Sequence, residues 1–127
     1  MPHIRIEYSP NLECDIDFDR LCEVLRDAAA DTGIFRLEGI RVRAFKCDHY
    51  LVADGADGNS FLDISVRIRG GRSIDVRQSV TTTLFEAAEL FLEPVLKSRA
   101  TALSLELLEI DPEFSPKINS IGSPNSA

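Results

Sequence analysis

The sequence has few cysteines and no long apolar run. Its three cysteines, Cys14, Cys22 and Cys47, are odd in number and widely spaced, and no C-x-x-C pair occurs. Such usage is typical of reduced thiols and provides neither a disulfide framework nor a zinc ligand set. No apolar segment approaches the length of a membrane span, and Arg5 and Glu7 interrupt the N-terminus where a signal peptide is apolar. These absences predict a cytoplasmic protein with no membrane partner.

Basic residues are scarce, and most of them are arginines. The 127-residue chain has a formal net charge of −7 and an isoelectric point near 4.8, which argues against a nucleic-acid partner. Only three of its 14 basic residues are lysines. Arginine presents a planar fork that binds a carboxylate through two hydrogen bonds. We expect most single arginines on the solvated surface, but a few gathered in a pocket would form an anion site.

Periodicity in the first half of the chain predicts a strand, a helix and a second strand. Apolar and polar residues alternate over residues 1–8, which is typical of a strand with one apolar face. Apolar residues at three- and four-residue spacing predict a helix near 18–31, with Asp17 as its N-cap. Alternation returns over residues 39–47 and predicts the second strand. Residues 50–52 are a candidate edge strand.

The second half repeats this order of elements. Alternation over residues 61–69 predicts a strand, and Ser73 then caps a long helix. Pro94 is expected to kink or end that helix because it lacks an N–H and clashes one turn back. A last short turn should reach Arg99, and residues 102–110 predict the fourth strand.

A β-α-β pattern that occurs twice predicts the architecture. Helical connections imply parallel pairing within each unit and right-handed crossovers. We therefore predict an α/β (α+β) subunit, a four-stranded sheet with two helices on one face. Residues 1–110 are expected to form one domain with halves 1–58 and 59–110, and 111–127 an arm or flexible tail. The bare face of the sheet mixes arginines with apolar residues, so a symmetric oligomer is expected.

Pro2 is the candidate base. Methionine aminopeptidase normally removes Met1 before a small residue, and proline qualifies. The freed secondary amine would have a reference pKa of about 7.7–8.0. Burial and nearby cations both disfavour the charged form, so such an amine would be neutral near physiological pH, as a general base must be. A proline at this position often serves only to permit removal of Met1, so Pro2 alone does not establish catalysis.

Several short motifs, in this order and spacing over about residues 1–110, resemble the tautomerase superfamily and, more narrowly, the 5-carboxymethyl-2-hydroxymuconate isomerases. The motifs that carry the resemblance are Met1-Pro2-His3, Thr32-Gly33-Ile34-Phe35, Leu37, Gly39-Ile40-Arg41, Ala53-Asp54-Gly55, Gly71-Arg72-Ser73, Arg77-Gln78 and Ser98-Arg99. The tail after Asp111 contributes nothing to it.

The resemblance implies a homotrimer that acts in homoprotocatechuate breakdown. Its substrate would be a carboxylated dienol, which it converts to a keto isomer. Pro2 would be the base, while Arg41 and Arg72 would bind the carboxylate and oxygen groups of the substrate. No metal or organic cofactor is implied. The neighbouring residues 47–49, Cys-Asp-His, cannot readily converge on one ion either.

Other residues are weaker candidates for the same site. His3 and Phe35 are candidate substrate-binding residues, and Arg43 shares a strand face with Arg41. A shift of sixty residues places Leu62 at the position of Pro2 and Thr101 at that of Arg41, so we expect one site per subunit.

Two alternatives to this function stay open. In the first, the chain is a tautomerase-like enzyme that acts on another carboxylated enol. In the second, it is a non-catalytic oligomeric binding protein on the same scaffold.

Overall fold

Two β-α-β units build a single four-stranded sheet in the computed structural model, which describes residues 2–122. The expectation that Met1 is removed, and the end of the tail, lie outside the described residues. The strands and helices are β1 (His3–Tyr8), α1 (Phe18–Asp31), β2 (Arg41–Lys46), β3 (Ser60–Arg69), α2 (Ile74–Ser98) and β4 (Thr101–Ile110). Short 3-10 turns lie at Pro10–Leu12, Leu37–Gly39 and Pro112–Phe114.

The strand order is β2-β1-β3-β4. Strands within each unit are parallel, as predicted, and the two units join through antiparallel β1 and β3. His3 is the partner of Arg41 on one side and of Arg67 on the other. The starts of β1 and β2 therefore lie beside the ends of β3 and β4. We call this end of the sheet the Pro2 end.

Local signals fix both helices where the sequence predicts them. The carboxylate of Asp17 accepts a hydrogen bond from the Arg20 N–H at 3.1 Å, and the Ser73 hydroxyl accepts one from the Val76 N–H at 3.2 Å. Each bond satisfies a donor that the first helical turn leaves without a partner. The predicted range of α1, 18–31, is confirmed.

The helices cover one face of the sheet and leave the other open. Alternate strand residues such as Ile4, Ile6, Ile64 and Val66 are fully buried in the helix-side core, together with Leu84 of α2. Fully burying such a side chain contributes about 1.5–3 kcal/mol to folding. The intervening positions of each strand form the open face, as the alternation of side chains requires.

The expected edge strand over residues 50–52 is wrong, because this segment lies in a loop without strand pairing. The Leu51 side chain is 81% exposed, so no apolar burial holds the segment against the sheet. The Val52 carbonyl instead accepts hydrogen bonds from the Gly55 N–H at 2.9 Å and the Asn59 side-chain amide at 3.2 Å. Turn bonds thus replace the ladder bonds of a strand.

Pro94 was expected to kink or end the second helix; an end there is wrong, since α2 continues to Ser98, while a kink stays a prediction. Pro94 itself is exposed, while its neighbours Leu92 and Val95 are buried in the core. Packing on both sides of the proline therefore outweighs the loss of one helical hydrogen bond. The Ser98 hydroxyl donates to the Pro94 carbonyl at 2.8 Å near the end of the helix.

The chain after β4 forms an arm across the Pro2 end of the sheet. It leaves β4, turns through Pro112–Phe114, and reaches the opposite edge, where the Asn119 side-chain amide donates to the Glu38 carbonyl at 2.9 Å. Glu38 lies just before β2, so the arm spans from one edge strand to the other.

Replacing Pro94 tests whether packing holds the helix against its own sequence. Because proline costs about 3 kcal/mol relative to alanine inside a helix, Pro94→Ala should raise the free energy of unfolding by about 1–3 kcal/mol. Urea denaturation at fixed protein concentration measures this, with Lys97→Ala as a control on the exposed side of the same helix. An unchanged or lower stability would show that the proline is not strained there.

Tyr8 should make stability fall in alkaline solution. Burial, and then the hydrogen bond that its hydroxyl donates to Glu13, raise the pKa of Tyr8 from 10.0 to about 12. The unfolded chain loses this proton first, so the free energy of unfolding should fall as pH rises from 10.0 toward about 12. Tyr8→Phe removes this contribution. Urea titrations at about pH 9 and about pH 11 should show a smaller loss in the variant than in the parent protein. Equal losses would contradict the shift.

Candidate active site

Pro2 and Arg41 are neighbours at the Pro2 end of the sheet. Pro2 directly precedes β1, and its ring is fully buried. Its carbonyl accepts a hydrogen bond from the Arg41 N–H at 3.1 Å, which extends the β1–β2 ladder by one step. The backbone therefore holds Pro2, the predicted base, beside Arg41, the first residue of β2.

Arg72 reaches the same end of the sheet from the second unit. It follows the turn at Gly70 and Gly71, where Gly71 has a φ of +107° that favours glycine. The Arg72 guanidinium donates to the Arg69 carbonyl at 3.1 Å. Its carbon lies 5.2 Å from the centroid of the Phe35 ring, within the range of a cation–π contact.

Phe35 is buried and supports Arg72. The pair connects the loop after α1 to the start of α2, so it links the two β-α-β units. Arg77 strengthens the turn by donating from Nε to the Arg72 carbonyl at 3.2 Å. The structure thus gives Phe35 a positioning contact, and direct contact of Phe35 with a substrate stays a prediction.

His3 lies on the open face among arginines. Arg43 Nη1 lies 3.3 Å from His3 Nδ1. A guanidinium only donates, so Nδ1 must accept, and the ring proton belongs on Nε2. Burial, followed by the charges of Arg67, Arg43 and Arg41, lowers the pKa of His3. The imidazole is therefore held in its neutral form more strongly than in the unfolded chain.

The open face concentrates positive charge near His3. Burial, and then the charges of Arg67, Arg5 and Arg41, also lower the pKa of Arg43, although a guanidinium stays charged at any physiological pH. Arg41 and Arg43 share this face with His3, as the sequence predicts for the two arginines. Arg72 instead contacts Phe35, a core residue, so the two predicted arginines reach the Pro2 end by different routes.

The second unit does not repeat these residues. Ser60 pairs with Thr101 as His3 pairs with Arg41. The correspondence of Leu62 with Pro2 and of Thr101 with Arg41 stays a prediction. The Ser60 and Thr101 hydroxyls lie 2.8 Å apart and hydrogen-bond each other. Neither a secondary amine nor a guanidinium is present there.

Sequence reasoning missed a cavity of about 360 Å³ on the open face beside His3. Its lining residues are His3, Arg67, Arg69, Ile110, Pro112, Ser115, Pro116 and Lys117. Arg67 and Arg69 have the strand parity of the open face, but only the β1–β3 register places them beside His3. The last four lining residues come from the arm, for which the sequence gives no periodic pattern.

Within residues 2–122, no three or more His, Cys, Asp or Glu side chains are grouped so that they could hold a metal ion. Over the same range, no helix combines the length and apolar character needed to cross a membrane. The described groups at the Pro2 end are the buried Pro2 ring and the guanidinium groups of Arg41 and Arg72. Such an arrangement binds carboxylates and stabilises negative charge that develops on oxygen.

Comparisons with known proteins bear on the family and the fold of this chain. The sequence model of the 5-carboxymethyl-2-hydroxymuconate isomerase family matches residues 2–123, which includes most of the arm. The resemblance therefore extends beyond the 1–110 range recognised from the sequence. The 5-carboxymethyl-2-hydroxymuconate Delta-isomerase of Escherichia coli is 34% identical over 121 residues, covering 95% of this chain and 96% of that protein.

Solved structures show the same fold. A crystal structure of a 5-carboxymethyl-2-hydroxymuconate delta-isomerase superposes with a TM-score of 0.88 at 29% identity, covering 94% of this chain and 89% of that one. A fused 4-OT protein described as a symmetric trimer superposes with a TM-score of 0.65 at 16% identity, covering 92% of each chain, and shares the fold. The predicted four-stranded sheet with two helices is thereby confirmed. The chain belongs to the 5-carboxymethyl-2-hydroxymuconate isomerase family.

Proposed function

We propose that this protein isomerises 5-carboxymethyl-2-hydroxymuconate to its keto isomer, in the breakdown of homoprotocatechuate, with Pro2 as the general base. The family match over residues 2–123 carries the proposal. The placement of Pro2, Arg41 and Arg72 at one end of the sheet supports the roles of these residues. The reaction requires that Met1 be removed, because only then is the Pro2 nitrogen an amine.

The proposed reaction moves one proton and leaves the formula of the substrate unchanged. The neutral Pro2 nitrogen takes the proton of the enol hydroxyl, and the O–H electron pair becomes the second bond of the carbonyl. The conjugated double bonds shift, and a carbon of the chain accepts the proton from the Pro2 ammonium. The amine is neutral again at the end of the cycle.

Arg41 and Arg72 would act on the oxygen side of this reaction. A guanidinium binds a carboxylate through two parallel hydrogen bonds and stabilises negative charge on an enolate oxygen. Both arginines stay charged, so they also disfavour protonation of a nearby amine. The Pro2 ring is buried, and a surrounding of low dielectric constant strengthens both effects.

We also propose that the active form is a homotrimer in the cytoplasm. Phe45 and Leu108 expose 44% and 40% of their surface on the open face, which provides apolar area for a second subunit to cover. The fused 4-OT relative is described as a symmetric trimer. Residues 1–110 would form the domain of each subunit, with halves 1–58 and 59–110.

Removing the Pro2 ring tests the base. The ultraviolet absorbance of the dienol follows ketonisation, on protein whose intact mass shows that Met1 is absent. General base catalysis contributes about 100- to 10,000-fold, so protein that retains Met1, in which the Pro2 nitrogen is an amide, should have a kcat/KM lower by at least about 100-fold. Pro2→Ala should lower kcat/KM by a smaller factor, because removal of Met1 still frees a primary amine at that position.

Pro10→Ala provides the matched control, since Pro10 lies at the opposite end of the sheet. Full activity in protein that retains Met1 would reject Pro2 as the base. Absence of activity in parent protein with a free Pro2 would reject this substrate and favour another carboxylated enol. If a panel of such enols also failed while binding persisted, the chain would be a binding protein.

Single arginine variants distinguish Arg41 from Arg43. Arg41 adjoins Pro2 through the backbone, whereas Arg43 lies two residues further along β2 and contacts His3. A lost charged hydrogen bond costs about 1.5–3 kcal/mol, so Arg41→Met should lower kcat/KM by about 10- to 100-fold. Arg43→Met should have a smaller effect. The reverse order would transfer the role to Arg43.

A further inference from the structure

Among residues 2–122, the side chains that line the cavity beside His3 include cations and no acidic group. Arg67 and Arg69 line it from β3, and Lys117 lines it from the arm. Among residues 2–122, none of these three side chains forms an ion pair. Three cations held in one concavity of a protein with a net charge of −7 repel one another unless an anion enters.

The polar groups around the cavity suit a carboxylate. His3 accepts from Arg43 at Nδ1, so its remaining ring nitrogen carries a proton that an anion accepts. Ser115 adds a hydroxyl, while Ile110, Pro112 and Pro116 supply apolar walls. The acid that lies next to the turn, Glu109, is already bound by Arg77 at 3.3 Å and by the Gly71 N–H at 3.3 Å.

The cavity adjoins the residues of the proposed active site. His3 is next to Pro2 in the chain, and the Arg69 carbonyl accepts a hydrogen bond from Arg72 at 3.1 Å. Arg69 lines the cavity at the end of β3, and Arg72 follows two residues after the turn begins, so the cavity adjoins the segment that carries Arg72. A single ligand that reaches both must carry anionic groups at more than one place.

The proposed substrate meets this requirement. Its name describes a muconate, with a carboxylate at each end of the conjugated chain, and a carboxymethyl branch that adds a third. Arg41 and Arg72 account for the groups at the reacting end. A tetrahedral carbon joins the branch to the conjugated chain, so the branch carboxylate can leave the conjugated plane. This geometry suits a cavity on the open face of the sheet.

We propose, resting on the proposed function, that Arg67, Arg69 and Lys117 form a subsite for the carboxymethyl carboxylate. The protein then selects tricarboxylated dienols over dicarboxylated ones. Arg67 is the principal contact, because it lies opposite His3 in the sheet register. The arm completes the subsite with Lys117 and Ser115, and the Asn119–Glu38 hydrogen bond at 2.9 Å anchors it across the sheet end.

Two substrates test the subsite, 5-carboxymethyl-2-hydroxymuconate and the analogue that lacks the carboxymethyl group. Arg67→Met should raise KM for the tricarboxylate by about 10- to 100-fold, the range expected for a lost charged hydrogen bond. KM for the dicarboxylate should rise by a much smaller factor. Arg67→Lys should lie between the parent protein and Arg67→Met for the tricarboxylate, because it keeps the charge but not the planar fork.

Arg26→Met is the matched control, since Arg26 lies exposed on α1 and pairs with Asp27. An equal rise in KM for both substrates, or no rise, would overturn the subsite while leaving the isomerase function intact. If the parent protein converts neither substrate, the proposed function fails. Calorimetric titration with propane-1,2,3-tricarboxylate then decides the subsite alone. Binding at least about tenfold weaker in Arg67→Met supports it, and equal binding or none overturns it.

Discussion

The antiparallel pairing of β1 with β3 is the constraint on which the rest of the structure depends. The two strands within each β-α-β unit are parallel, so within a unit both strands begin at the same end of the sheet. Pairing His3 with Arg67 turns the second unit around and brings the end of β3 to the start of β1. Pro2, Arg41, Arg67, Arg72 and the arm all meet at one end of the sheet for this reason.

Charge is distributed unevenly in this acidic protein, and the unevenness agrees with the proposed chemistry. Arginines occupy the Pro2 end of the open face, while acids such as Glu7 and Asp63 lie toward its other end. An anion approaching the molecule is therefore attracted to one place despite the net negative charge. The buried ring of Phe35 contacts the Arg72 guanidinium and positions it without neutralising its charge.

Local patterns predicted most of the fold, because caps and periodicity act over a few residues. Asp17 and Ser73 mark both helix starts, and alternation marks all four strands. The helix end allowed for at Pro94 and the edge strand expected around Leu51 were wrong because both depend on which neighbouring residues are buried, which a local pattern does not contain. The division into a domain and a tail stays a prediction.

The candidate site divides in the same way. Short motifs around Pro2, Arg41 and Arg72 marked those residues, and their roles stay predictions. Arg67, Arg69 and Lys117 were missed because their proximity to His3 depends on strand register and on the path of the arm. Strand register and the path of the arm depend on contacts between residues far apart in the sequence, so a local sequence pattern does not predict them.

The central claim is that Pro2 is a neutral amine in the folded protein at physiological pH. Nitrogen NMR of protein labelled with ¹⁵N-proline, after removal of Met1, observes the protonation state of that nitrogen directly. An ordinary α-amino group would be mostly protonated at about pH 7. The account predicts a mostly neutral Pro2 nitrogen at that pH, and a return of the protonated form when Arg41 and Arg72 are both replaced. A mostly protonated nitrogen in the parent protein would contradict it.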